Sequence, residues 1–205
     1  MIVVIDYGIG NTGSVVNALD KLGIKNQISS SPSVIKKANA LILPGVGAAG
    51  QGMQNLRERK LDRAIIDHTD KGKPFLGICL GMQLLFEQSD EGNVACLGIF
   101  KGLVKKFQKE RKIPQIGWNN VSLNTTNTES NKLFKGMPDN SYFYFVNSYY
   151  CSPKDKSIVV GESEYGEQFA SVVAKENIVG VQFHPEKSGR VGFTLLTNFI
   201  ESYVN

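Results

Sequence analysis

The feature that most constrains the fold of this chain is a series of short apolar runs. Each run leads into a glycine or aspartate turn and then into a segment of helical periodicity. Residues 1–5, MIVVI, end at Asp6, and residues 38–45, ANALILPG, and 73–78, KPFLGI, lead into glycine-rich turns. Runs that are apolar throughout are typical of strands buried on both faces, as in a parallel sheet. The first half of the chain is therefore predicted to alternate strands and helices around such a sheet.

Three segments of the first half have the periodicity of amphipathic helices. Residues 14–22 place apolar side chains on one face, with Ser14 as the predicted cap and Gly23 as the predicted end. Residues 53–69 and 80–88 are predicted to be the helices of the following β–α units.

The second half of the chain has closely spaced strand-like segments, which require hairpins and therefore antiparallel pairing. These β-branched or aromatic segments are residues 141–150, 157–166, 169–177 and 178–185. A turn is predicted at Glu176-Asn177 and a final helix over 190–203. We predict one α/β domain over residues 1–205, with a central mixed, mostly parallel sheet flanked by helices and antiparallel strands in the C-terminal half.

Composition excludes several classes of protein. The chain has 205 residues, of which 41% are hydrophobic, and this suits one compact core. The formal net charge of +4 does not indicate nucleic-acid binding. Three cysteines without paired spacing favour a cytoplasmic location, and neither a signal peptide nor a membrane span is expected. Two histidines supply a zinc site poorly, so we expect no metal and no other cofactor.

The segment GICLG, at 77–81, has the G-x-C-x-G spacing of a nucleophile elbow, a tight turn from strand to helix. Cys79 would then lie at the carboxyl end of a strand and the start of a helix, where free N–H groups favour a thiolate. Cysteine is also a common buried residue. The motif by itself therefore leaves a buried core cysteine as the alternative.

A cysteine nucleophile benefits from a base that a third group orients. His184 follows an apolar strand and precedes Pro185, and Glu186 is close enough to turn its carboxylate onto the imidazole. These residues are predicted to be the base and its orienting group. His68 lies near the end of the predicted helix over 53–69 among charged residues, so it is expected to be exposed and without a catalytic role.

The segment LPGVG, at 43–47, also follows an apolar strand. Gly45 and Gly47 let the backbone approach a ligand, and the N–H of Val46 or Gly47 can donate to an oxyanion. The N–H of Leu80 would be the second donor. The alternative is an ordinary glycine-rich β–α turn; a P-loop would need a Lys-Ser/Thr ending, which this segment lacks.

Three separated motifs, PGVG, GICLGMQ and HPEKS, together resemble those of class I glutamine amidotransferases. The segments DYGIGN at 6–11, IGWN at 116–119 and YFYFVNSY at 142–149 are similar to those of the glutaminase subunits of imidazole glycerol phosphate synthases, and the likeness runs nearly end to end. The resemblance implies that Cys79 attacks the side-chain amide of glutamine, that His184 shuttles the proton and that Glu186 orients His184.

The resemblance also implies which residues recognise glutamine. Gln83 lies one helical turn after Cys79 on the same face, which is consistent with such a role. The implied glutamine-binding residues are Gly45, Gly47, Gln83, Glu91, Ser148 and Tyr149.

A (β/α)8-barrel cyclase subunit of histidine biosynthesis is the partner that the resemblance implies, with Asn11, Trp118 and Lys187 at the contact. The family often has histidine where this chain has Asn147, and PHMGWN where this chain has PQIGWN at 114–119. These departures leave open a paralogue that supplies ammonia to a related barrel for amidine formation on a surface sugar. A stand-alone cysteine hydrolase is a second alternative.

Overall fold

The computed structural model describes residues 1–109 and 112–204, and strands and helices alternate through the first half of the chain as predicted. The strands are β1 (Ile2–Ile5), β2 (Asn26–Ser29), β3 (Ala40–Leu43), β4 (Phe75–Ile78), β5 (Gln88–Ser89), β6 (Val94–Ala95), β7 (Gly102–Lys106), β8 (Gln115–Leu123), β9 (Ser141–Asn147), β10 (Tyr149–Pro153), β11 (Val159–Glu164), β12 (Gln168–Lys175) and β13 (Ile178–Val181). The α-helices are α1 (Thr12–Lys21), α2 (Pro32–Lys37), α3 (Ala49–Glu58), α4 (Leu61–Thr69), α5 (Leu80–Gln83), α6 (Thr128–Leu133) and α7 (Gly189–Phe199).

The centre of the sheet has the strand order β2-β1-β3-β4-β13, and each of these neighbours is parallel. β12 pairs antiparallel with β13 through the predicted turn, where Glu176 has a φ of 54°. The strands beyond β12 add mainly antiparallel pairs. The predicted α/β fold with a mixed sheet, parallel at its centre and antiparallel in the C-terminal half, is confirmed.

The sheet buries side chains on both faces, which explains the continuous apolar runs. Ile2 and Val4 pack on the face covered by α1 and α7, whereas Val3 and Ile5 pack on the face covered by α2, α3 and α4. Across residues 1–109 and 112–204, no helix is long and apolar enough to cross a membrane.

All three predicted helices of the first half have different boundaries in the structure. The segment 53–69 belongs to two helices, α3 and α4, because Lys60 adopts a left-handed conformation with φ 57° that ends the first. The cap of α1 is Asn11 rather than Ser14, since the Asn11 side chain accepts a hydrogen bond from the Ser14 N–H at 3.2 Å. Gly23 follows the end of α1 with φ 69°, in agreement with its predicted role.

The helix predicted over 80–88 ends at Gln83. The next turn tightens through a bond from the Leu85 N–H to the Met82 carbonyl at 3.1 Å, and the Glu87 N–H then bonds to the Gly102 carbonyl at 3.2 Å. This last bond draws the chain towards β7. The strand predicted over 141–150 divides at Ser148 into β9, which pairs with β8, and β10, which pairs with β7.

Candidate active site

Three neighbouring strands bring the predicted catalytic segments to one edge of the sheet. β3, β4 and β13 are parallel neighbours, with Leu43 opposite Gly77 and Val181 opposite Ile78. Because their carboxyl ends lie side by side, the loops that carry Gly45, Cys79 and His184 leave the sheet together. In α/β sheets this edge is where binding and catalytic sites form.

Cys79 has φ 55° and ψ −109°, a conformation that an L-residue rarely adopts, between β4 and α5. The flanking glycines make this turn possible. A Cβ at Gly77 would lie 2.6 Å from the Gly81 carbonyl oxygen, and a Cβ at Gly81 would lie 1.9 Å from the Leu43 carbonyl oxygen. The G-x-C-x-G spacing is therefore a steric requirement of the turn, and the turn has the strained backbone of a functional site.

The sulfur of Cys79 lies among polar groups at the wall of a cavity of about 420 Å³. Its thiol donates a hydrogen bond to the Val146 carbonyl oxygen at 3.7 Å, and the sulfur accepts a hydrogen bond from Gln182 Nε2 at 3.7 Å. His184 interacts with the same sulfur, and this interaction raises the pKa of the histidine. With 6% of its surface exposed, Cys79 is buried yet borders the cavity.

His184 and Glu186 form a buried pair, with 2.9 Å between His184 Nδ1 and Glu186 Oε1 and side-chain exposures of 3% and 1%. Burial by itself lowers the pKa of His184, but hydrogen bonds and charge interactions with Cys79 and Glu186 outweigh burial and raise it. The His184 N–H donates to the Tyr144 carbonyl at 2.9 Å, and the Ser188 hydroxyl donates to the His184 carbonyl at 2.6 Å. These bonds fix the backbone from which the imidazole projects.

The loop after β3 lies against the start of α5. The N–H of Leu80, a predicted oxyanion donor, donates to the Gly45 carbonyl at 3.4 Å. Val46 is 41% exposed, and Gly47 has φ 98°. Val46 and Gly47 line the cavity, whereas Gly45 is buried beneath it.

The side chains predicted to bind glutamine surround the same cavity. Gln83 donates through Nε2 to the Tyr149 carbonyl and to Gln182 Oε1, each at 3.1 Å. Glu91 Oε2 accepts the Ala49 N–H at 2.7 Å, at the start of α3. The cavity is lined by Gln83, Glu91, Ser148 and Tyr149, together with Asn147 and Lys187.

The three residues predicted to contact a partner have different environments. Lys187 lines the cavity, and Asn11 caps α1, which packs against the turn 185–187. Trp118 is 57% exposed and packs edge to face with Tyr144, with 6.1 Å between ring centroids. The Tyr144 carbonyl accepts the His184 N–H, so Trp118 lies one residue away from the segment that carries His184.

The prediction that His68 is exposed was wrong. His68 is 2% exposed because α4 turns this face inward, and its Nε2 hydrogen bonds with the Pro74 carbonyl at 3.1 Å. Burial lowers the pKa of His68 to about 4. The hydrogen bond of its ring joins α4 to the segment before β4 and involves neither Cys79 nor His184.

Gln182 contacts the Cys79 sulfur but was not singled out in the sequence. The sequence signal for Gln182 is weak. In an extended segment, side chains two residues apart point to the same face, so Gln182 shares a face with His184. For metals, residues 1–109 and 112–204 contain no group of three or more His, Cys, Asp or Glu side chains placed to hold an ion.

The sequence profile described as glutamine amidotransferase class-I matches residues 3–202, and the chain belongs to this family. The imidazole glycerol phosphate synthase subunit HisH of Herpetosiphon aurantiacus is 45% identical over 202 residues, which cover 98% of this chain and 94% of that protein. The protein of the same name from Dehalococcoides mccartyi is 46% identical over 202 residues, which cover 98% and 97%.

Solved structures have the same fold at lower identity. The structure of PurLQS from Thermotoga maritima aligns with a TM-score of 0.78 at 19% identity, covering 98% of this chain and 97% of that chain. A crystal structure of a glutamine amidotransferase aligns with a TM-score of 0.76 at 18% identity, covering 98% of both chains. These likenesses establish the α/β fold.

Proposed function

We propose that this chain is the glutaminase subunit of an imidazole glycerol phosphate synthase. It hydrolyses glutamine to glutamate and ammonia, and passes the ammonia to a (β/α)8-barrel cyclase subunit in histidine biosynthesis. The observation that carries the proposal is the meeting of Cys79 with the buried His184–Glu186 pair beside one cavity. The relatives at 45–46% identity support the choice of pathway.

In the proposed reaction the Cys79 thiolate attacks the side-chain amide carbon of glutamine. The tetrahedral intermediate collapses to a thioester as protonated His184 gives its proton to the departing ammonia. Neutral His184 then accepts a proton from water, which attacks the thioester and releases glutamate. The raised pKa of His184 supports the first role, and Glu186 holds the Nδ1–H so that Nε2 faces the reacting atoms.

We assign the oxyanion donors to the N–H of Leu80 and the N–H of Val46 or Gly47. In the structure the Leu80 N–H is engaged by the Gly45 carbonyl, at a long 3.4 Å. The proposed reaction therefore requires the Gly45 carbonyl to turn away so that this N–H faces the oxyanion. The exposure of Val46 and the absence of a side chain at Gly47 leave the loop free to make this change.

We assign glutamine recognition to the cavity wall. Both hydrogens of the Gln83 amide are donated to other residues, the Tyr149 carbonyl and Gln182 Oε1, so Gln83 Oε1 is the atom left to accept a hydrogen bond from the substrate. Glu91 offers a carboxylate that can accept from the substrate ammonium. Ser148 and Tyr149, at the break between β9 and β10, and Gly45 and Gly47 complete the assigned set.

A partner that receives ammonia would seal the site from water, because ammonia is largely protonated in neutral water and then no longer a nucleophile. Exposed apolar residues beside the site support a docking face: Ile116, Trp118 and Tyr142 are 64%, 57% and 60% exposed on the β8–β9 hairpin. Contiguous exposed apolar groups commonly mark protein interfaces. We place Asn11 and Lys187 at the same contact.

We also propose that residues 1–205 act as one glutaminase domain in the cytoplasm. Cys79, Cys96 and Cys151 are all free thiols, which favours a reducing compartment.

The test of the proposed function compares wild type with Cys79→Ala in complex with the barrel subunit. We expect the variant to lose glutamine-dependent synthesis while synthesis from added ammonium salt continues at the wild-type rate. Cys96→Ala is the matched control, since Cys96 lies outside the cavity lining, and it should keep both activities. Glutamate release by Cys79→Ala would show that the nucleophile has been assigned wrongly.

The same assay separates the two alternatives. A stand-alone hydrolase would turn over glutamine at full rate without a barrel subunit, whereas the proposed subunit requires it. If the amidine alternative is correct, the barrel that forms an amidine on a surface sugar would accept ammonia from this chain, and the histidine-pathway barrel would not. Co-purification with one barrel protein therefore decides the acceptor.

A further inference from the structure

The side chain of Gln182 connects the nucleophile to the wall of the cavity. It is fully buried, and its two polar atoms have different partners. Gln182 Nε2 lies 3.7 Å from the Cys79 sulfur, and Gln182 Oε1 accepts from Gln83 Nε2 at 3.1 Å. Gln182 itself does not line the cavity, so it reaches the reaction only through these two residues.

The direction of this amide is fixed from the cavity side. The Tyr149 carbonyl can only accept, so the Gln83 amide nitrogen faces it at 3.1 Å. The second hydrogen of that nitrogen goes to Gln182, which therefore presents its Oε1 to Gln83. The Gln182 Nε2–H is consequently left pointing at the Cys79 sulfur.

The two hydrogen bonds of the sulfur respond differently to loss of the thiol proton. The Val146 carbonyl accepts from the thiol, and this bond disappears in the thiolate. The Gln182 N–H remains a donor, and its bond, which is buried, becomes charge-assisted. An amide donor held in this direction therefore favours the thiolate over the thiol.

We propose that Gln182 is a further catalytic residue, whose amide N–H binds the Cys79 sulfur and favours the reactive thiolate, with Gln83 setting the direction of that amide. This role rests on the proposed function, in which Cys79 is the nucleophile. It also gives Gln83 two tasks, since one residue forms the cavity wall and orients the group that activates the sulfur.

Other titratable groups interact with Cys79 and must stay constant in the test. They are His184 after β13, Tyr7 after β1 and Cys151 on β10. Glu186 contacts His184, and Glu91 and Lys187 line the same cavity. The variants below alter none of them.

The experiment measures the rate at which iodoacetamide alkylates Cys79 in the full chain across a range of pH, by mass spectrometry of the Cys79 peptide. Gln182→Met has nearly the same volume but no donor. We expect the midpoint of the rate profile to move up by about one pH unit or more, which is the range for loss of a hydrogen bond to a charged group. Ser171→Ala is the matched control, because Ser171, on β12, accepts the Gln182 backbone N–H through its carbonyl at 2.8 Å, and its buried hydroxyl has no protein partner. Its midpoint should equal that of wild type.

A second variant, Gln182→Glu, keeps the acceptor for Gln83 and replaces the donor with a carboxylate oxygen. It should raise the midpoint further, because like charges then face each other.

In the complex with the barrel subunit, Gln182→Met should lower kcat roughly 10- to 100-fold. KM for glutamine should stay within about twofold of wild type, because Gln182 is outside the cavity. Gln83→Met should raise KM for glutamine and also lower kcat, because it removes both a wall of the cavity and the group that sets the direction of the Gln182 amide.

An unchanged midpoint in whichever of the two Gln182 variants folds, judged by circular dichroism, would overturn the proposal. So would a loss of kcat that Ser171→Ala reproduces, because packing would then explain it. If wild type fails to hydrolyse glutamine with the barrel subunit and its acceptor present, the proposed function fails. A midpoint shift would in that case still establish the contact between Gln182 and the sulfur, without a role in glutamine hydrolysis.

Discussion

The backbone N–H of Leu80 donates to the carbonyl oxygen of Gly45, across 3.4 Å between the start of α5 and the loop after β3. This bond joins the two segments to which we assign the oxyanion donors. It also means that the position of one loop decides whether the Leu80 N–H is available to substrate.

We predict that Gly45→Ala lowers glutaminase kcat by about 100-fold, the usual effect of losing one oxyanion donor. The added Cβ would lie 2.5 Å from the Tyr7 hydroxyl and 2.7 Å from Leu80 Cβ, so the loop must shift away from α5. This shift would displace the assigned donor on the loop, the N–H of Val46 or Gly47. Steady-state kinetics with the barrel subunit measures the effect. Gly13→Ala, with open space around its Cβ, is the matched control and should keep wild-type kinetics. Equal kcat for the two variants would contradict the assigned donors.

Glu186→Gln tests the group that orients His184. Removing the carboxylate removes one of the interactions that raise the pKa of His184, so we expect this pKa to fall. We expect kcat to fall on the order of 1,000-fold, because the amide can hold the imidazole in the wrong tautomer. NMR titration of His184 and steady-state assays measure these effects. Glu58→Gln, on the exposed face of α3, is the control. A variant with wild-type kcat would remove Glu186 from the mechanism.

The burial of His68 predicts that the free energy of unfolding depends on pH, independently of catalysis. Its pKa is lowered to about 4 in the folded chain from an ordinary value of 6.5, so the unfolded state binds more protons between these values. The stability associated with neutral His68 is present above about pH 6.5 and is lost as the pH falls through about 4, amounting to roughly 1–3 kcal/mol. Urea unfolding at several pH values measures this change.

His68→Gln is the comparison, since its amide can still donate to the Pro74 carbonyl but does not titrate in this range. The free energy of unfolding of this variant should depend less on pH between about 6.5 and 4 than that of wild type. Parallel curves for the two proteins would show that other groups cause the acid loss of stability.

The exposed hairpin predicts where the barrel subunit binds. Trp118→Ala should weaken the complex by about 2 kcal/mol or more, roughly 30-fold in Kd, as is common for a central aromatic residue of an interface. The variant should fold normally because Trp118 is 57% exposed. Ile28→Ala, at an exposed apolar residue on β2, is the control and should bind as wild type does. Calorimetric titration gives both affinities, and wild-type affinity in Trp118→Ala would exclude this face.

Several features followed from local sequence because local sterics or pattern decide them. The apolar runs predicted β1, β3 and β4, since burial on both faces leaves little alternation. The spacing of Gly77, Cys79 and Gly81 predicted the turn, since a Cβ at either glycine would meet backbone atoms. Pro185, directly after the apolar segment that contains β13, predicted that His184 lies beyond the carboxyl end of that strand.

Other features depended on tertiary contacts. β8 was not predicted because Gly117, with φ 138°, and polar residues interrupt its pattern, and it is stabilised as a strand by pairing with β9. The inward face of α4 buries His68, although its sequence neighbours are charged. Gln182 came to contact Cys79 only because β13 and β4 are neighbours in the sheet.

The sequence by itself determined the α/β class, the strained turn at Cys79 and the short separation of His184 from Glu186, because each depends on residues close together in the chain. The tertiary structure decided which side chains share the cavity, that Gly45 engages Leu80 and that Gln182 faces the sulfur. Those relationships join segments up to 103 positions apart, and their geometry is set by sheet order and register rather than by local pattern.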